Sequence, residues 1–388
     1  MRGLEGVRWH SLYEADIAGI LEADLPWEKL ADKSVLIAGA TGMIGTVLVD
    51  ALLRKGKESG LCIRVTAMGR SAEQAKARLG RWWGENMFRY LQGDVCEPLQ
   101  EKERFDYLIQ AASNTHPLAY SSDPVGTMTG NFLGAYQMLR HAAKTKAERF
   151  LFVSSVEVYG ENRGDVEKFD ESYCGYIDCN TLRAGYPESK RAAEALCQAF
   201  AAQYGLDTVA VRLPRVYGPT MRPSDSKASS QFIQKAVNGE DIVLKSAGEQ
   251  RYSYCYAADA AAALLTVLLK GQAGEVYNAA DEQSDITLKD MAVYLAELTG
   301  RKVVFELPAA REAAGYSKAD KALLDAEKLK ALGWRAQMGI REGLKRTFCI
   351  LRQRRKAGDR YEGDFTGGGQ RNAHFSDGTG GAEVDVAN

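Results

Sequence analysis

From residue 34 onward, short apolar runs alternate with segments in which apolar positions recur every three or four residues. The runs SVLIAGA (34–40), IRVTAMG (63–69), FRYLQGD (88–94), DYLIQAA (106–112), RFLFVSS (149–155) and DTVAVRL (207–213) predict strands. The spacing between them predicts helices over 43–56, 72–80, 125–145 and 188–205. Strands this apolar need cover on both faces, and their alternation with amphipathic helices predicts βαβ units, hence an α/β fold around a doubly wound parallel sheet. Ahead of the first strand, Leu12, Ile17, Ile20 and Leu21 stand near helical spacing, so residues 1–31 read as an N-terminal helical arm packed on the body or on a partner. After Ser155 the rhythm loosens, as it does where a smaller lobe is built from insertions. The expected division is one domain over 32–215, rejoined by 251–280, and a smaller C-terminal lobe built from 216–250 and 281–352. Residues 356–388 are Gly-rich, polar and almost without aliphatics, which predicts a flexible tail.

The first strand runs directly into Gly39-Ala-Thr41-Gly42-Met43-Ile44-Gly45 and then into a helix. Glycines at such a turn let the backbone approach a pyrophosphate, which sits on the free N–H groups and the positive end of the helix. A dinucleotide site is therefore expected there. At the end of the second strand, where an acidic residue would accept from a ribose 2′-hydroxyl, the chain has Arg70. A guanidinium could pair with a 2′-phosphate or stack on adenine, so NADP stays open beside NAD. Asp94, closing the third strand, could accept from the adenine amino group.

Tyr186-Pro-Glu-Ser-Lys190 puts a phenol and an ammonium on one helix face, with Ser155 at an earlier strand end. Populating a phenolate at neutral pH takes roughly 4 kcal/mol of preferential stabilisation, which a nearby cation in a partly desolvated site supplies. Ser155, Tyr186 and Lys190 thus read as an acid/base set.

Composition narrows the partners. Fifty Lys+Arg balance 51 Asp+Glu for a net charge of −1, so no general field draws the chain to nucleic acid or anionic membrane. The seven cysteines include no CxxC pair, and the four histidines (His10, His116, His141, His374) show no ligand spacing, so neither a disulfide framework nor a metal is expected. The stretch MRGLEGVRWHSLYEAD has acidic residues where a secretory leader needs an apolar core, and no apolar run approaches the ~20 residues that span a bilayer. A cytoplasmic protein is expected.

From about Ser34 to Leu351, the ordered motifs GATGMIG, QGDV, LIQAAS, FVSSVEVYG, YPESK, RVYGP and a late LGW resemble those of the extended short-chain dehydrogenases, the nucleotide-sugar epimerase/dehydratase/decarboxylase superfamily. The resemblance implies a Rossmann-type domain with a small C-terminal substrate-binding lobe, NAD as cofactor, a nucleotide-sugar substrate and a homodimer. It implies cofactor contacts at Gly39, Thr41, Gly42, Met43, Ile44, Gly45, Arg70, Asp94, Ala111, Ala112, Tyr186 and Lys190. Substrate contacts are implied at Ser113, Arg183, Arg215, Arg251 and Lys321, and catalysis at Ser155, Glu157, Tyr186 and Lys190.

Dehydratases of this superfamily carry an Asp-Glu pair where this chain has Val156-Glu157, which argues against elimination of water. UDP-glucuronate decarboxylases keep only the glutamate, and Glu157 and Arg183 match their pattern. Decarboxylation through a 4-keto sugar is the expected reaction, with 4-epimerisation as the alternative. An NADPH-consuming nucleotide-sugar reductase and a silent dinucleotide sensor stand further off. Three positions depart from the pattern: Tyr252 stands at a usual arginine, with Arg251 displaced by one; Lys321 replaces a second arginine; and Arg215 replaces an asparagine.

Overall fold

The computed structural model describes residues 7, 10–99, 102, 104–115, 117–306 and 320–356. The expected tail falls almost wholly outside the described residues, as do nearly all of the first nine positions. Strands β1 (Ser34–Ala38), β2 (Arg64–Gly69), β3 (Phe88–Gln92), β4 (Tyr107–Gln110), β5 (Arg149–Ser155), β6 (Thr208–Leu213) and β10 (Val276–Asn278) form one parallel sheet. Its order is β10-β6-β5-β4-β1-β2-β3, a doubly wound arrangement in which the chain reverses direction of travel between β1 and β4.

The pleat divides the strand side chains between two cores. Val35, Ile37, Ile109, Leu151 and Val153 belong to one, with helices α1 (Ser11–Leu21), α2 (Met43–Ser59) and α8 (Ala257–Lys270). Leu36, Ala38, Leu108, Phe150 and Phe152 belong to the other, covered by α5 (Pro124–Thr145) and α6 (Gly185–Tyr204). Local signals set the helix ends. Ser71 caps α3 (Ala72–Leu79) by accepting from Gln74 N at 3.1 Å. Asp123 caps α5 by accepting from Gly126 N at 2.9 Å, with Pro124 at the first helical position. The arm helix α1 packs against α2 and α8. It is pinned by Tyr13, whose hydroxyl donates to Asp50 at 2.8 Å, and by Asp16, which accepts from the Tyr256 hydroxyl at 2.6 Å.

Beyond β6, Pro214 offers no N–H and the chain leaves the main sheet. Strands β7 (Arg215–Tyr217), β9 (Arg251–Tyr256), β11 (Asp285–Thr287) and β13 (Lys321–Ala322) form a second sheet centred on β9, which pairs antiparallel with β11 and parallel with β7 and β13. The sequence-based division assigned all of 251–280 to the first domain. Instead Arg251–Tyr256 belongs to the second sheet, and only α8 and β10 return to the first. A parallel pair, β8 (Ile242–Leu244) with β12 (Val303–Phe305), lies beside α7 (Ala228–Asn238) and α9 (Leu288–Thr299). The helix α11 (Ile340–Lys356) packs on α7 and on β9.

Candidate active site

One cavity runs along the seam where the C-terminal ends of β1, β4 and β5 meet the second sheet, and both the glycine loop and Tyr186 line it. Gly39 turns the chain with φ of 81°, and a Cβ there would lie 2.7 Å from the carbonyl of Ala111 and from the amide nitrogen of Ala112. Gly45, inside α2, meets the Gly39 carbonyl so closely that a Cβ would sit 2.3 Å from its oxygen. Gly42 is the N-cap of α2 and brings no side chain to it, so the first-turn amides of Met43 and Ile44 are left for a ligand. Gly39, Gly42, Met43, Ile44, Gly45 and Ala111 all line the cavity. The cradle fits the pyrophosphate of a dinucleotide, since the tight backbone packing at Gly39 and Gly45 sets the uncapped first turn of α2 against the cavity.

At the other end of the same cavity, α6 starts at Gly185, so Tyr186 stands in its first turn and Lys190 one turn later. Burial pushes the Tyr186 phenol up to about 12, and hydrogen bonds with Ser155 and Ser113 pull it the other way. Burial also pulls the Lys190 ammonium down to about 7. Lys190 Nζ donates to the Val153 carbonyl at 2.7 Å and lies 5.9 Å from the Tyr186 ring centre. One of its three donors is thus held by the sheet, which leaves it capacity toward a ribose hydroxyl. A buried chain supports the set: Ser113 Oγ donates to Asn131 at 2.6 Å, Asn131 donates to Ser189 at 3.0 Å, and Ser189 donates to the Tyr186 carbonyl at 2.8 Å.

Glu157 follows β5 in a short turn, with its backbone N–H donating to Ser155 Oγ at 3.3 Å. Arg183 Nη2 donates to its carboxylate at 2.7 Å, and Arg215 Nη2 lies 4.0 Å from the other oxygen. Val156 beside it is buried and lines the cavity without a proton to give. Tyr120 completes this end. Its ring packs on Tyr186, tilted by 33° at 4.9 Å between centroids, and receives the Arg183 guanidinium at 4.9 Å.

The structure therefore brings Ser113, Ser155, Glu157, Arg183, Tyr186, Lys190 and Arg215 together with most of the glycine loop. Four expected residues sit at the margin instead. Thr41 accepts from Arg222 through its carbonyl at 3.4 Å, and Ala112 stands behind Gly39. Arg70 and Asp94 are exposed at the ends of β2 and β3, beyond the cavity lining. Two more lie elsewhere. Alternation along β9 sends Tyr252 and Tyr254 into the cavity and Arg251 out to solvent, and Lys321 pairs with Arg251 in β13, on a separate shallow depression with Asp165 and Glu167. Sequence reading passed over Tyr120 and Asn131. Tyr120 carries no motif, and Asn131 looks like any polar position on a long helix.

The model of the NAD dependent epimerase/dehydratase family matches residues 35–280. The chain belongs to that family. A UDP-glucuronic acid decarboxylase of Xenopus tropicalis is 30% identical over 321 residues, 83% of this chain and 72% of that one. A dTDP-D-glucose 4,6-dehydratase of Bos taurus is 28% identical over 346 residues, 87% and 93% of the two chains. Among solved members of the fold, a UDP-glucuronic acid 4-epimerase from Bacillus cereus superposes with a TM-score of 0.70 at 19% identity, covering 82% of this chain and 99% of that one. An enzyme of the epimerase/dehydratase family that modifies nucleotide sugars with NAD is thus the setting in which the cavity has to be read. Among the described residues no cluster of His, Cys, Asp or Glu is placed to hold a metal, and no helix is long and apolar enough to cross a membrane.

Proposed function

We propose that the chain acts on a nucleotide-linked hexuronic acid, UDP-glucuronate in the first instance, and converts it to a pentose nucleotide with loss of carbon dioxide. The observation that carries the reading is Glu157 standing alone, beside buried Val156, between Ser155 and two guanidinium groups. Elimination of water needs an acid to protonate a leaving hydroxyl, and Val156 has none to give. The resemblance to a UDP-glucuronic acid decarboxylase over 83% of the chain supports the same choice.

NAD held on the glycine loop would supply a reversible hydride acceptor for C4, so none would be consumed. The chain's own groups manage the protons. Tyr186, as phenolate, takes the C4 hydroxyl proton while Ser155 donates to the same oxygen, and a ketone results at C4. The carboxylate on C5 is then β to a carbonyl. Its bond to C5 breaks, the electron pair moves into the carbonyl, and carbon dioxide leaves. The Tyr186 and Ser155 hydroxyls hold the enolate oxygen. A proton from solvent reaches C5 by way of a water oriented by Glu157, and Tyr186 gives its proton back to the C4 oxygen.

Incubation of the protein with NAD and UDP-glucuronate is expected to release carbon dioxide and give a product lighter by that mass. A product of unchanged mass makes the protein a 4-epimerase, and loss of water overturns the Val156 argument. A lasting rise or fall in absorbance at 340 nm makes it a net oxidoreductase.

The same reading includes a homodimer. Val125, Met128, Phe132, Leu133 and Tyr136 form an exposed apolar stripe on α5, and Tyr204 is exposed at the end of neighbouring α6. Apolar residues spaced this way on paired helices suit a second copy of the same surface. Replacing Phe132 and Tyr136 by glutamate is expected to convert a dimer to a monomer in analytical ultracentrifugation, and an unchanged sedimentation coefficient counts against this face. All seven cysteines are unpaired, in keeping with a reducing compartment such as the cytoplasm.

A further inference from the structure

We infer that Arg215, together with Arg183, selects an acidic sugar: the two guanidinium groups form a receptor for one carboxylate of the substrate, with the Tyr252 ring as the shelf on which Arg215 rests. This rests on the reading of the cavity as a nucleotide-sugar site and adds to it the group recognised and the side chain that recognises it.

Charge at the Ser155 end of the cavity does not balance. Glu157 contributes one negative charge, and Arg183 and Arg215 contribute two positive ones within 4.0 Å of it. The imbalance recurs in the hydrogen bonds. Arg183 Nε, Arg183 Nη1 and Arg215 Nη1 are buried and have no hydrogen-bond acceptor among the described residues. Leaving charged donors buried and unmatched is costly, so a site that keeps three of them is shaped for a ligand that matches them. One carboxylate does so. It brings a single negative charge and two oxygens with about four lone-pair directions, and it suits the planar fork of arginine.

Arg215 is the informative member because it departs from the pattern that the chain otherwise resembles. Asparagine is usual at 215 and arginine at 252, whereas here arginine stands at 215 and tyrosine at 252. The two departures are neighbours in space. β7 pairs with β9 so that Arg215 aligns with Tyr254, and the Arg215 guanidinium lies 3.4 Å from the centre of the Tyr252 ring. The stack holds a guanidinium on β7, next to Glu157. Stacking fixes its plane and leaves its edge free to bond. Lys227, at the N-cap of α7 and paired with Asp225 at 3.2 Å, and Lys245, just after β8, also line the cavity. The carboxylate of the sugar is therefore the anion assigned to Arg215, given its position beside Glu157 and Ser155.

The test is calorimetric binding of UDP-glucuronate, UDP-glucose and UDP to the NAD-loaded protein, with the thymidine series in parallel. Wild-type protein is expected to bind the glucuronate more tightly than the glucose compound. Arg215→Met is expected to weaken the glucuronate by about 10- to 100-fold and to leave the other two within about 3-fold. Arg215→Lys keeps the charge without the fork and is expected to recover only part of the loss. Arg215→Asn, with a thermal melt, controls for misfolding. Equal weakening of UDP itself overturns the assignment in favour of the diphosphate, and unchanged affinity for all three reduces Arg215 to a packing residue. Because binding is measured and not turnover, selective binding of the glucuronate without release of carbon dioxide sinks the decarboxylation reading and leaves the receptor standing. Equal wild-type affinity for acidic and neutral sugars sinks the receptor. Absence of binding in both nucleotide series overturns it together with the reading beneath it.

Discussion

Tyr186→Phe is expected to lower turnover at least ~100-fold, the lower range for losing a positioned acid/base, while the dinucleotide stays bound. The phenyl ring is retained, so the packing on Tyr120 survives, and the glycine loop that would hold the pyrophosphate is at the other end of the cavity. What disappears is the phenol that, on the proposed mechanism, takes the C4 proton and later returns it, hydrogen-bonded to Ser155 and Ser113. The defect should appear before carbon dioxide is released. In a stopped-flow experiment the variant should show no transient absorbance at 340 nm, whereas a fault in the later step would let reduced cofactor accumulate. Cofactor content, read by chromatography after denaturation, should match wild type. Near-normal turnover would remove Tyr186 from the mechanism.

Much of this arrangement is legible in the sequence, and the parts that are not share a cause. The strand and helix ends follow local signals such as Ser71, Asp123 and the glycine loop, so six of the seven strands of the main sheet and the four helices expected among them fall within a few residues of expectation, whereas β10 and α8 were not anticipated. Tyr186 and Lys190 share a helix face by spacing alone. The spacing starts α6 at 188, whereas the helix begins at Gly185, with Pro187 in the first turn where its missing N–H costs nothing. Partnership between distant strands is another matter. Nothing local in RYSYCY says whether that strand pairs with β6 or β7, or which alternate side chains face the cavity. Arg251 was therefore expected as a ligand where Tyr252 is the residue that points in. For the same reason, Arg215 and Tyr252 read as two separate departures until the pairing of β7 with β9 stacks one on the other.

Lys190→Met is expected to do two opposite things, losing activity and gaining stability. The ammonium lies 5.9 Å from the Tyr186 ring, and a cation on that side of the phenol favours phenolate. Without it, turnover at neutral pH should fall about 100-fold, because the phenol, which burial already pushes up to about 12, loses a neighbouring cation. Stability moves the other way. Lys190 is held down to about 7 in the fold against an ordinary value of 10.5, so between those two values the unfolded chain binds more protons than the folded one. Folding stability from this group therefore rises with pH across that window, and the burden of burying the ammonium is greatest below about pH 7. Methionine fills the same space without a charge. The variant without cofactor should melt above wild type at pH 6 to 7, by a margin worth a few kcal/mol at most, and the two melting curves should converge as the pH approaches 10. A lysine kept at a cost to the fold is one kept for chemistry, so a variant that loses stability at every pH would show Lys190 to be a structural strut through its bond to Val153.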